Sequence, residues 1–400
     1  MSETPWLTII GLGEDGPESL PAASRKAIEA SEIVIGPPRH LSLLPGMAAE
    51  RIEWPVPFAD GIAQLLAFRG RRVVMLASGD PFWFGAGTSV TGHLEPDEWV
   101  AHPGVSTFSL AAAQMGWPLE RTRCFGLHAA PLTRLRPALQ EDGRLIVLLR
   151  DGAALRALAD YLVTTGWGES DLTVLESLGG PRARRTDATA QTLPVDDYRH
   201  PLCAALHIRG ARAQALPLAA GRPDAWFDSD GTMTKRPVRA MTLSALAPRR
   251  GEYLWDIGGG SGSIAIEWLL SDASLEATTI EPRADRVARI RANATALGVD
   301  QLRIVEGAAP AALDGLAPPD AVFIGGGLSA ALLDWLESNL APGTRLVANA
   351  VTLDSESLLI AAQERLGGDL LRLELASAAT LGSKRGWKSA YPIVQWSVTL

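Results

Sequence analysis

The run Leu254-Trp255-Asp256-Ile257-Gly258-Gly259-Gly260-Ser261-Gly262 constrains this chain more than any other feature. An apolar stretch that stops in four glycines within five residues reads as a strand, a tight turn and the start of a helix. Glycine has no Cβ, so such a turn can take positive φ and bring its backbone close to a ligand. The helix opening near Ser263 would aim the positive end of its dipole at the same spot. The next apolar stretch, Ala277-Thr278-Thr279-Ile280, ends in Glu281. An acid about 20 residues past such a turn can accept hydrogen bonds from ribose hydroxyls. This order predicts an α/β fold with a nucleotide-type site at the strand ends.

A second signature of another kind opens the chain. Gly11-Leu12-Gly13 follows Leu7-Thr8-Ile9-Ile10, but it has no third glycine at dinucleotide spacing, and Pro21 interrupts before the helix. Two more loops follow in order, Ser78-Gly79-Asp80-Pro81 and Pro103-Gly104-Val105-Ser106-Thr107. Each alone is an ordinary turn. The ordered set is the signal. Gly36-Pro37-Pro38-Arg39-His40 adds a further loop, whose Arg39 and His40 face either a substrate or solvent. Two such sites imply two reactions on one substrate, or one reaction and one control site.

A length of 400 residues suggests two or three domains, and 47% hydrophobic content can fill their cores. The net charge of -8 argues against a general nucleic-acid footprint. Arg182, Arg184 and Arg185 form either a local basic patch or a solvated loop. Cys124 and Cys203 are too few for a thiolate zinc site or a disulfide framework, so no metal and two buried thiols are expected. Met1-Ser2-Glu3-Thr4-Pro5 lacks the pattern of a secretory leader, and no apolar run approaches about 18 residues. A soluble cytoplasmic protein without membrane or nucleic-acid partners is expected.

Strands are predicted at 7–10, 33–35, 73–77, 145–149, 173–176 and 202–208, with helices at 21–30, 62–68, 107–115 and 153–162. The alternation argues for mostly parallel sheets with helical cover. Residues 209–230 change character, with Gly210, Pro217, Gly221 and Pro223 and little periodicity, and read as a linker. A second series follows. Its strands are expected at 253–257, 277–280, 302–305, 321–324 and 345–348, with a last pair near 370–375 and 393–399. Its helices are expected at 236–246, 263–270, 283–297 and 330–339. The boundaries drawn are 1–212, a linker over 213–231, and 232–400, and no repeat relates the halves.

Three details in the second half carry a resemblance. The turn opens with Asp256, a helix ending Asn293-Ala294-Thr295-Ala296-Leu297-Gly298-Val299 follows Glu281, and Val305-Glu306-Gly307-Ala308-Ala309-Pro310 comes next. Together they resemble the class I S-adenosyl-L-methionine-dependent methyltransferases, a Rossmann-like fold. The resemblance implies that Asp256, Gly258, Gly259, Gly260, Ser261, Gly262 and Glu281 hold the cofactor, with Gly307, Ala308 and Ala309 beside its adenine. Ala308 stands where many relatives carry an Asp, which leaves backbone contacts there. Asp320 is either a site residue or a strand-initiating Asp.

The N-terminal loops resemble those of the class III tetrapyrrole methylase family, which binds the same cofactor folded in a trough between two α/β lobes. That likeness implies contacts from Gly11, Gly13, Gly79, Asp80, Pro81, Gly104, Ser106 and Thr107. Between the halves lies Gly231-Thr232-Met233-Thr234-Lys235-Arg236-Pro237. Thr234 is placed to cap the next helix. The run is also similar to the Met-Thr-Lys lead-in of the decarboxylating precorrin methyltransferases, which implies catalytic-site positions for Met233, Thr234 and Lys235.

A class III lobe followed by a class I domain resembles the fused members of that family, which act in corrin-ring synthesis. What this implies is specific: two S-adenosyl-L-methionine sites, C5 methylation by 1–212, and C15 methylation with C12-acetate decarboxylation by 232–400. It also implies a tetrapyrrole substrate, with or without cobalt, and a homo-oligomer, up to a tetramer, formed through the C-terminal domain. Ring carboxylates need cationic partners. Lys235, Arg236, Arg239 and the Lys384-Arg385 pair, on a stretch read as a mobile loop, either serve there or are surface charge. An RNA methyltransferase would share both folds but conflicts with the charge. A non-catalytic sensor half would have lost its glycines.

Overall fold

The six apolar runs read in the N-terminal half are the inner strands of two five-stranded sheets. The computed structural model describes residues 5–210 and 212–400, so four of the five residues behind the leader expectation lie outside it. The first sheet has the order β3-β2-β4-β1-β5, all parallel, from β1 (Leu7–Leu12), β2 (Ile33–Gly36), β3 (Glu50–Glu53), β4 (Val73–Ser78) and β5 (Trp99–His102). Both faces are covered. Leu7, Ile9, Ile33 and Met75 pack on one side, and Ile10, Leu12, Val34 and Leu76 on the other. Burial on two faces explains why these strands read as continuous apolar runs.

The second sheet, β6-β7-β10-β8-β9, uses β6 (Thr122–Gly126), β7 (Arg144–Leu149), β8 (Asp171–Glu176), β9 (Arg184–Thr189) and β10 (Leu202–His207). Here the expectation of parallel pairing fails. Only β6 and β7 run parallel, because β10 returns antiparallel between β7 and β8. The helix Thr107–Met115 leaves the first sheet and lays Phe108, Ala111 and Ala112 against Ile146, Leu175 and Cys203 of the second. The four unforeseen strands, β3, β5, β6 and β9, are the sheet edges. An edge such as Arg184–Thr189 is mostly polar and offers no apolar run to read.

The C-terminal sheet has the order β13-β12-β11-β14-β15-β19-β16. Its parallel strands are β11 (Tyr253–Ile257), β12 (Glu276–Glu281), β13 (Arg303–Glu306), β14 (Ala321–Ile324) and β15 (Arg345–Ala350), while β16 (Asp369–Leu373) and β19 (Ile393–Thr399) close it antiparallel. Helices cover both faces, and the helix Leu353–Leu366 is an addition that sequence periodicity missed because only Leu359 and Ala362 of it are buried. The stretch read as a mobile loop is instead a hairpin of β17 (Ala376–Leu381) and β18 (Lys384–Ser389).

The chain divides into two compact units, one of Met1–Leu132 with Ala138–Ala215, the other of Leu216–Leu400 with the short Thr133–Pro137. Most of the segment read as a linker is structured within the second unit. Leu216 and Phe227 are buried in its core, and the amides of Gly221 and Arg222 donate to Glu267 at 2.7 and 2.9 Å. Irregular backbone spreads these apolar residues without periodicity.

Candidate active sites

In the N-terminal unit, three loops close on one another through glycine. Gly79 donates its amide to the Leu12 carbonyl at 3.1 Å, and Gly104 donates to the Gly79 carbonyl at 2.9 Å. A Cβ on Gly11 would collide with the Gly79 carbonyl and the Gly104 amide, and one on Gly104 would lie 2.8 Å from the Gly11 carbonyl. Such contacts need glycine at each position. Asp80 shapes its own turn by accepting the Phe82 amide at 2.8 Å, and Gly87 donates to the Pro81 carbonyl at 2.8 Å. Ser106 caps the helix Thr107–Met115, accepting the Ser109 amide at 3.0 Å.

These loops form one wall of a cavity of about 600 Å³. Gly13, Gly79 and Thr107 of the expected set line it, as do Leu149 at the end of β7, Arg150 just after it and His200 just before β10. Sequence reasoning did not foresee its ionic floor. Arg39 pairs with the buried Glu14 and donates to Ser78 Oγ at 2.9 Å. Burial and the nearby Arg182 pull the Arg39 guanidinium down to about 10. His40 is buried, and burial followed by Arg39 pushes its imidazole down to about 3. The choice left open for this pair therefore resolves: both line the cavity rather than an exposed loop. The suspected basic patch does not form as such, because Arg184 pairs with Glu176 and Asp196, and Arg185 with Asp187.

In the C-terminal unit the glycines are contiguous. Gly258, Gly260 and Gly262 have φ of 75°, 60° and 75°, the left-handed region that side chains resist. A Cβ on Gly258 would lie 2.6 Å from the Gly326 backbone, whereas one on Gly260 meets nothing within 4 Å. Gly260 is therefore the open face of the turn. Glu281 sits beneath it, accepting the Gly260 amide at 2.9 Å and the Arg283 amide at 3.1 Å. Asp256 is fully buried rather than open. The Thr279 hydroxyl donates to it at 3.1 Å, and burial pushes its carboxyl up to about 7. Gly307 donates to the Glu281 carbonyl at 3.1 Å, which sets the Gly307-Ala308-Ala309 backbone beside the acid. An open glycine face over an oriented carboxylate suits a nucleoside cofactor.

Ser261, with its hydroxyl buried, presents its carbonyl to Asn293, whose amide also donates to the Asp228 carbonyl, each at 2.9 Å. Asn293 thus ties the turn to the lead-in, a role that its place in the motif ending the helix did not reveal. A second missed feature is Gly325-Gly326-Gly327, which ends β14 beside β11. Gly325 donates to the Ile257 carbonyl at 2.9 Å, so two Ile-Gly-Gly-Gly strand ends lie in register.

The lead-in departs from expectation in three ways. Thr234 does not cap the helix Arg236–Leu246, whose N-cap is Lys235 with no side-chain bond. Met233 packs in the core, leaving exposed Lys235 and half-buried Thr234 as the accessible members of that trio. Arg239 is removed from the candidate carboxylate partners, being wholly buried. It donates to Glu267 at 2.6 Å and to the Thr234 carbonyl at 2.5 Å, with the Phe227 ring 4.8 Å away. Breaking such a buried pair costs about 3–5 kcal/mol, so it holds the lead-in in place. Asp320 accepts the Tyr253 amide at 2.8 Å and opens a strand at the sheet end away from the turn, so it is structural. Lys384 and Arg385 stand exposed on the hairpin. Burial pushes the thiols of Cys124 and Cys203 up to about 11 and about 12. Among the described residues, no His, Cys, Asp and Glu cluster could hold a metal ion.

Comparison with known proteins follows this division. Residues 6–194 match the family described as tetrapyrrole (corrin/porphyrin) methylases, and residues 225–400 match the precorrin methyltransferase domain. A Sinorhizobium protein, precorrin-6Y C(5,15)-methyltransferase [decarboxylating], is 48% identical over 99% of this chain and 97% of its own. The cobalt-precorrin-6B C(15)-methyltransferase (decarboxylating) of Salmonella typhimurium is 35% identical over 40% of this chain and 85% of its own. Among solved structures, the C-terminal domain of precorrin-6Y C5,15-methyltransferase from Rhodobacter capsulatus is 55% identical, covering 46% of this chain and 100% of that one at a TM-score of 0.45.

Proposed function

This chain belongs to the decarboxylating precorrin-6Y C5,15-methyltransferase family, and from that premise we propose that its two units divide the family's reactions, each with its own S-adenosyl-L-methionine. The chain is a methyltransferase of corrin-ring synthesis, acting on a tetrapyrrole with loss of carbon dioxide. Residues 1–212 methylate C5, and residues 232–400 methylate C15 and remove the carboxyl of the C12 acetate. The observation that carries this division is the pair of complete glycine cradles, Gly11/Gly79/Gly104 in one unit and Gly258–Gly262 in the other.

The cofactor, when bound, supplies an activated methyl group, so the protein's share is alignment. Holding two reactants in attack geometry lowers a barrier by about 7–11 kcal/mol in favourable cases. In the second unit, Glu281 is oriented to accept hydroxyl hydrogens, and the backbone at Gly260 is open to close approach. Thr234, whose carbonyl accepts from Arg239, and the adjacent exposed Lys235 are the residues we assign to the substrate side. In the first unit, Gly13, Gly79 and Thr107 face a cavity whose apolar wall includes Trp54 and Phe58, rings stacked at 4.8 Å. Such a surface suits the face of a conjugated macrocycle.

Two further parts of the proposal concern assembly and place. The hairpin β17–β18 leaves Leu381, Trp387 and nearby Tyr391 mostly exposed, which supports self-association through the C-terminal unit. We place the enzyme in the cytoplasm; no helix among the described residues is long and apolar enough to cross a membrane.

Mass spectrometry of the product made from reduced precorrin-6 and cofactor tests the reading. Two added methyl groups and one lost carbon dioxide are expected, with Gly258→Arg stopping C15 methylation and the decarboxylation while the C5 methyl is still added. A single methyl with the carboxylate retained would remove the second unit's assignment. Titration calorimetry with S-adenosylhomocysteine should give two sites per chain.

A further inference from the structure

Replacing a ring C–H by C–CH3 releases one proton, and the sequence offered no group to receive it. The N-terminal cavity holds three histidines, His40, His128 and His200. They are not equivalent. His40 Nε2 lies 2.7 Å from an Arg39 guanidinium nitrogen and 3.0 Å from Ser78 Oγ, so its lone pair is already engaged. Among the described residues no side-chain hydrogen bond orients the His128 ring. His200 differs from both: its Nδ1 lies 2.9 Å from the Arg150 carbonyl oxygen. A carbonyl only accepts, so Nδ1 carries the hydrogen and Nε2 keeps its lone pair.

His200 stands just before β10 at the solvent edge of the cavity. Gly79 and Thr107 of the cofactor loops line the same space. We propose that His200 Nε2 receives the proton released when the N-terminal unit methylates its ring carbon, an inference that rests on that unit being the C5 methyltransferase. The transfer forms a ring C–CH3 bond and breaks the S–CH3 bond, whose electron pair stays on sulfur. The electron pair of the ring C–H bond returns to the π system as the proton passes to Nε2, and from there to water at the rim.

The surroundings favour an imidazole that starts neutral. Partial burial, then Arg39, lower its affinity for a proton, with His128 adding a little, while the Arg150 carbonyl and Asp151 oppose them. His200 also lines a polar pocket that brings Glu176, Asp196 and Asp197 together with Arg182, Arg184 and Arg199. Arg184 is paired with Glu176 and Asp196, so that pocket adds little net charge.

The test uses the full chain with His200→Asn, whose amide can still donate to the Arg150 carbonyl but cannot take a proton, and His200→Ala beside it. Single-turnover mass spectrometry reads the two methyl additions separately. His200→Asn should slow the C5 addition about 100-fold, in the range of general-base catalysis, and flatten its rise with pH. C15 methylation, decarboxylation and S-adenosylhomocysteine affinity should stay within twofold. Independently of turnover, nitrogen-15 NMR of the histidine rings should show His200 neutral at pH 7 with its hydrogen on Nδ1. An Nε2–H ring, a C5 rate within threefold of wild type, or loss of both methyl additions would each overturn the proposal. Gly104→Val separates the two layers: if it removes the C15 methyl instead of the C5 methyl, the unit's assignment falls, and the role of His200 falls with it.

Discussion

The two cradles use glycine for different physical reasons. In the N-terminal unit, Gly11, Gly79 and Gly104 come from three loops far apart in sequence, and their missing Cβ atoms let backbones touch each other. Gly11 and Gly104 need no unusual φ for this, and only Gly79 adds one, at 50°. In the C-terminal unit, Gly258, Gly260 and Gly262 lie in one turn, and each takes a positive φ that side chains resist. The first cradle is a tertiary contact and the second is a local conformation. A glycine can therefore be indispensable through packing, through φ, or through both, and the cost of a methyl group tells which.

Gly11→Ala should give the largest effect. Its new methyl meets carbonyl and amide backbone of two other loops, which cannot swing aside as a side chain would. A loss of about 3 kcal/mol or more is expected from such overpacking. Urea unfolding should show it, and the product should lack the N-terminal unit's methyl while still losing carbon dioxide. Wild-type stability would show that the loops are not locked together.

Within the second cradle, Gly258→Ala and Gly260→Ala split the two causes. Gly258 combines φ of 75° with a contact at 2.6 Å to Gly326, whereas Gly260 has φ of 60° and open space. The first should cost about 2–3 kcal/mol and the second about 1 kcal/mol. Gly260→Ala should instead act on affinity, because its methyl points to where a cofactor would approach. Calorimetry should find one strong site where the wild type has two. Equal losses of stability would mean that φ alone governs this turn.

The smallest effects are opposite pH dependences. His40 falls from 6.5 to about 3 on folding, so the native state binds fewer protons between those values. Its contribution is complete above 6.5 and is lost as the pH falls toward 3. Asp256 rises from 3.8 to about 7, so its contribution is complete below 3.8 and is lost as the pH rises toward 7. Hydrogen exchange followed by mass spectrometry should show the first sheet loosening with acid and the turn around Asp256 loosening toward neutrality. His40→Gln and Asp256→Asn should each flatten its own trend, and the same sign in both units would refute the pairing.

Legibility in the sequence followed burial and distance along the chain. The inner strands β1, β2, β4, β7, β8 and β10 announced themselves as apolar runs because both their faces are covered. The edges of the two N-terminal sheets did not, nor did the exposed hairpin β17–β18, whose residues pay no penalty for being polar. The Gly258–Gly262 turn with Glu281 was readable because strand, turn and acid are sequential.

The sequence alone therefore determined two α/β halves, their order, and the contiguous cradle, since each follows from local periodicity and backbone freedom. Only the tertiary structure decided that Met233 is core, that Arg239 serves Glu267 rather than a ligand, and that Arg39, His40 and His200 share one cavity. Those roles depend on which side chains meet across loops remote in the chain. Charge, burial and hydrogen-bond partners at such meetings are properties of the packed molecule, and no single segment encodes them.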